Sequence, residues 1–93
     1  MVIDSRASYA ELRSTLRTIS LPKVHERIVL GIVDQAEKFY QKRIGKNAQI
    51  YEKLEEGTLF VLDQTLIQLR KGKLISVDAY QRVKIVIDKL IKQ

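Results

Sequence analysis

Apolar residues recur along the chain at helical spacing, in four blocks separated by short breaks rich in Gly, Pro or polar residues. In the first block Tyr9, Leu12, Leu16 and Ile19 fall on one side of a helix turning by roughly 100° per residue, with Arg13 and Arg17 on the wet side. Ser8 and Glu11 have the spacing of a capping box, in which each side chain accepts the other residue's free amide. These signals predict a first helix over about 8–19.

Ser20, Leu21 and Pro22 interrupt that pattern. Proline is tolerated in a first helical turn, where its missing N–H is not needed, so a second helix is predicted over about 22–44. Val24, Ile28, Ile32, Ala36 and Phe39 form its stripe, flanked by Val29, Val33 and Tyr40, a width that can meet two neighbours. Gly45 suits a left-handed cap and Asn47 the next N-cap, so the following helix should return antiparallel over about 47–71.

This third helix is apolar nearly all round. Leu54, Thr58, Val61, Leu62, Thr65 and Leu69 make the stripe expected to face the core. Leu59 with Leu66, and Phe60 with Ile67, make two short rows on the other side, with Asp63 between them. An unpaired carboxylate is costly in a sealed core but tolerable where water or a partner's cation reaches it. Leu59, Phe60, Asp63, Leu66 and Ile67 are therefore the expected interaction face. Gly57 either bends the helix or is tolerated at a cost of about 1 kcal/mol. The competing reading is a β-hairpin within 58–77, since Thr, Phe, Val and Ile also favour strands.

Gly72 is expected to end helix three and Ser76 to cap the fourth, over about 76–92, with Asp78 in its first turn. Ile75 and Tyr80 have the spacing of a hydrophobic staple, and Tyr80, Val83, Ile87, Leu90 and Ile91 form the last stripe. The segment LRKGKLISVDAYQRVK resembles the short C-terminal helical hairpin of the SHOCT type, in its Gly before an apolar pair, its Ser cap and the aromatic four residues later. That resemblance implies a capped hairpin and carries no function. The whole pattern predicts an all-α fold, a small antiparallel up-down-up-down four-helix bundle with 1–93 as a single domain.

Composition narrows the chemistry. Hydrophobic residues at 45% and charged residues at 30% suit a packed domain and not a disordered chain. With no Cys and with His25 as the one histidine, disulfides and thiolate chemistry are excluded and a zinc site is not expected. His25 lies near the apolar stripe with no nucleophile or carboxylate at helical spacing, so no catalytic residue is assigned. Glu52, Glu55 and Glu56, with Asp63, read as a solvated acidic face and not as a metal site. The glycines are isolated, so there is no phosphate loop, and neither a cofactor nor a small-molecule substrate is implied. Asp4 and Arg6 stand where a leader would be apolar, so a soluble cytoplasmic protein is expected, with no membrane partner.

A net charge of +6 makes acidic partners attractive. In the predicted bundle Arg17, Lys23, Arg70, Lys71 and Lys73 gather at one end, and Lys42, Arg43, Lys46, Lys89 and Lys92 at the other. Basic residues in last turns also complement the helix dipole. The sequence thus points to a non-enzymatic protein–protein interaction module that self-associates or docks on a larger partner through helix three. The alternative is a basic nucleic-acid-associated protein, contacting phosphates through Arg17, Lys23, Arg70, Lys71 and Lys73.

Overall fold

The apolar blocks become helices in the computed structural model, which describes residues 5–43 and 45–91. They are α1 (Ser5–Thr18), α2 (Lys23–Gln41), α3 (Ala48–Lys71) and α4 (Val77–Ile91). Asp4, Ile44 and Lys92, which figured in the expectations above, lie outside the described residues. Short turns fold each helix back along the one before it. Packing joins α1 to α2, α2 to α3, α3 to α4 and α4 to α1, while the diagonal pairs lie farther apart, giving the four-helix ring of an up-down-up-down bundle.

No strand forms among the described residues, so the β-hairpin within 58–77 is overturned. Residues 58–71 belong to α3, and the hydroxyls of Thr58 and Thr65 donate to the carbonyls of Leu54 and Val61, each at 2.8 Å. The β-branched threonines are thereby satisfied within the helix. What outweighs their strand preference is the row Leu59, Leu62, Leu66 and Leu69, all buried and each contributing about 2 kcal/mol by leaving water. α3 runs unbroken through Gly57.

The turns follow local chemistry with two departures from expectation. α1 is already helical at Ser5, so Ser8 is no N-cap; it lies on the buried face beside Tyr9, and the capping box is not used. Gly45 has φ 96°, a conformation that suits glycine, but Asn47 at the start of α3 makes no side-chain capping bond. α3 ends at Gly72, as expected, in a Schellman motif whose left-handed residue is the following Lys73 (φ 63°). The Leu74 amide donates to the Leu69 carbonyl at 2.9 Å and the Lys73 amide to that of Arg70 at 3.0 Å.

Ser76 behaves as the sequence indicates: its Oγ accepts the Ala79 amide at 3.0 Å and so caps α4. Ser76→Ala should cost about 1 kcal/mol, read as a lower denaturation midpoint with an unchanged slope. An unchanged midpoint would contradict that capping role.

α1 buries the stripe expected of it, including Leu12 and Leu16, and α4 buries Tyr80, Val83, Ile87 and Leu90 of its own while Ile91 at its end is exposed. α2 and α3 are rotated from the expected setting. α2 buries Val29, Val33 and Ala36 and leaves Val24 and Ile28 exposed; α3 buries Leu59 and Leu66 and leaves Leu54 and Val61 exposed. The reason lies in side-chain volume. Leu59, Leu62, Leu66 and Leu69 bring four large side chains to one face, whereas the row of Leu54 and Val61 is interrupted by Gly57, Thr58 and Thr65.

Candidate interaction groove

That shared rotation leaves the outer side of the α2/α3 pair apolar. Ile28, Gly31, Ile32 and Gln35 from α2, and Leu54, Gly57, Thr58 and Val61 from α3, line an open groove of about 520 Å³, with Lys53 at its edge. Each helix supplies residues at the same i, i+3, i+4, i+7 spacing, which on any helix is one continuous strip of surface. Ile28 and Val61 are both 52% exposed and Leu54 43%.

The glycines shape the groove. α2 and α3 run antiparallel, so Ile28 and Val61 stand toward one end, Gln35 and Leu54 toward the other, and Gly31 and Gly57 lie between them on opposite walls. A Cβ built at either glycine would meet nothing within 4 Å, and neither has a positive φ. Their lack of a side chain is thus required by neither packing nor backbone, although glycine inside a helix costs about 0.5–1 kcal/mol relative to alanine. Gly31→Ala and Gly57→Ala should each stabilise the chain by about that amount, raising the melting temperature by about 3–6 °C apiece. A fall in melting temperature would mean that the walls are already in contact with something in the folded chain.

The expected interaction face is corrected on most of its residues. Leu59 and Leu66 are core residues, and Ile67 is partly buried against the core. Asp63 accepts a hydrogen bond from the Tyr80 hydroxyl at 2.7 Å, so its carboxylate is satisfied within the chain. Burial and that carboxylate push the Tyr80 phenol above its ordinary range. Phe60 alone of the five remains open, at 60% exposure.

Glu55 is the second correction. It does not belong to a solvated acidic face: it is 3% exposed, accepts from Arg43 Nη1 at 2.8 Å, and also accepts from the Tyr9 hydroxyl. Arg43 in turn lies over the Tyr40 ring at 5.7 Å, and that ring meets Tyr9 at 5.8 Å. Burial first, and the Glu55 carboxylate next, hold the Tyr9 phenol far above its usual range, so it stays protonated. Among the described residues no buried side-chain nitrogen or oxygen lacks a partner, which makes this cluster a closed brace between α1, α2 and α3. The spacing 55, 59, 62, 66, 69 places Glu55 on the leucine row, a signal already present in the sequence.

The basic end is only partly assembled. Arg70 and Lys73 line one cleft of about 600 Å³ together with Arg82, Ser20 and Ser76, whereas Arg17, Lys23 and Lys71 are exposed outside its lining. Arg70 is also engaged over the Tyr80 ring at 5.1 Å. Arg82 was not among the expected contacts, because a single charge on an exposed helix face carries no local pattern. His25 is half-buried in the first turn of α2 and belongs to no cluster of potential metal ligands among the described residues. Among the described residues no helix is long and apolar enough to cross a membrane.

Comparison with protein-family models, with curated proteins and with solved structures gives no match to this chain.

Proposed function

We propose that the chain is a non-enzymatic interaction module of the cytoplasm that receives a partner helix in the groove between α2 and α3. The observation that carries this reading is the pair of matched, mostly apolar rows, Ile28 to Gln35 and Leu54 to Val61, that line one open groove with a glycine at the middle of each. Helices bind in such grooves through anchors at i, i+3 or i+4, and i+7, and low walls let the helix backbone approach closely. The proposed surface uses the side of α3 opposite the Leu59, Asp63 and Leu66 face and is shared with α2.

Selection of a displayed library of amphipathic helices against the folded chain tests this. Binders that fail to bind Gly57→Leu, a variant whose Cβ meets nothing within 4 Å, are the expected result. Binders indifferent to Gly57→Leu, or none, would refute it. The basic cleft of Arg70, Lys73 and Arg82 supports a second reading, contact with nucleic-acid phosphates. Retention of a labelled oligonucleotide by the wild type, lost on changing these three to Gln and unaffected by Gly57→Leu, would favour it.

A further inference from the structure

We infer that the occupant of the α2/α3 groove is an amphipathic helix with carboxylates along its flanks, supplied by another protein and not by a second copy of this chain. This rests on the groove being a docking surface and adds the partner's charge. No Asp or Glu lines the groove; its one charged residue is Lys53.

The same imbalance extends along its edges. Lys53 stands four residues before Gly57 and Arg27 four before Gly31, with Lys38 seven after Gly31, so each glycine shares a helix side with basic residues. Arg27, Lys38 and Lys53 are all exposed, and none is ion-paired among the described residues.

The neighbouring carboxylates are directed elsewhere. Asp34 and Glu37 of α2 both bind Arg13 of α1, Glu52 and Glu55 of α3 both bind Arg43, and Asp63 binds Tyr80 of α4. Glu56 is exposed, but it lies about 100° round the helix from Gly57, toward the Asp63 side.

A second copy docked groove to groove would bring the Lys53, Arg27 and Lys38 edges of two chains together, each chain already carrying +6. Like charges facing each other across an interface are strongly unfavourable. An acidic amphipathic helix meets the same edges with opposite charge. Its apolar row lies over Ile28, Leu54 and Val61, and its largest side chain sits where Gly31 and Gly57 lower both walls.

Two synthetic peptides of about 18 residues, five helical turns, test this. They share one Leu row and differ only in Glu or Lys on the flanks. Fluorescence anisotropy with the full chain should show the Glu peptide binding at least about tenfold more tightly, the gap narrowing in about 0.5 M salt as the charges are screened. Lys53→Glu should reduce or reverse the preference. Gly57→Leu, checked as folded by circular dichroism, should abolish binding. Equal affinities abolished by Gly57→Leu would overturn the acidic partner and leave the groove standing. A dimer seen by light scattering and dissociated by Gly57→Leu, with no peptide bound, would replace the partner with a second copy. No binding and no self-association would overturn the groove as well.

Discussion

Leu66→Lys should leave the chain unfolded, while Phe60→Glu, a change of similar size on the same helix, should leave it folded. Leu66 is fully buried among the leucines of α3, and Phe60 projects from the bundle. The lysine forfeits about 2–3 kcal/mol of leucine burial and in addition places an ammonium group where no carboxylate is free to meet it. Together these approach or exceed the 5–15 kcal/mol that holds a small domain folded. Phe60→Glu changes an exposed position, where substitutions usually shift stability by at most about 0.5 kcal/mol. Helical circular dichroism and thermal melts of the two variants read this directly. A folded Leu66→Lys, or an unfolded Phe60→Glu, would mean that α3 presents the opposite face to the core.

Arg43→Ala should cost about 3 kcal/mol, far more than an ordinary surface arginine. The pair it breaks is asymmetric: Arg43 is partly open to water, but Glu55 is not, so removing the guanidinium strands a carboxylate in the core. Losing one partner of a buried ion pair is costly because of the charge left behind. Replacing the whole cluster should therefore be mild. Tyr9→Phe with Arg43→Met and Glu55→Leu should recover most of the lost stability, so the three changes would be strongly non-additive. Urea denaturation of the single and triple variants gives the comparison. A single-variant cost below about 1 kcal/mol would show that Glu55 is reached by water, since exposed pairs contribute no more than that.

The helices were legible in the sequence because each has a strong period and a marked end. Pro22, Gly45, Gly72 and Ser76 all fall in or beside the turns, and the helix ends that flank the three turns lie within three residues of their predicted places. α1 and α4 have one apolar stripe each, so their rotation was legible too. α2 and α3 carry apolar residues round more than half their circumference, and a pattern that wide does not say which half wins the core. Burial volume decides it: the four leucines of α3 go inward, and Leu54, Val61 and Gly57 are left outside. Leu59 and Leu66, expected on an outward face of α3, are core residues for the same reason, and the groove lies about half a turn away from them.

Asp63 and Glu55 show the other limit. Asp63 looked like a group that needed water or a partner's cation, and Glu55 like one on a solvated face; Asp63 instead accepts from the Tyr80 hydroxyl, and Glu55 from Arg43 and the Tyr9 hydroxyl. Pairings across helices depend on which faces meet, and this is not encoded locally. The glycines at 31 and 57 are isolated in two separate helices; only the antiparallel packing of α2 on α3 makes them two walls of one groove.

The backbone amides of Gly31 and Gly57 report on that groove from inside it. With the isotope-labelled chain and increasing amounts of the Glu-flanked peptide, nuclear magnetic resonance should show the largest shifts at these two glycines and at Ile28, Leu54 and Val61. Ser20, Lys73 and Ser76, at the basic cleft, should barely move. Shifts concentrated at Ser20, Lys73 and Ser76, with Gly31 and Gly57 unmoved, would contradict the groove as the docking surface.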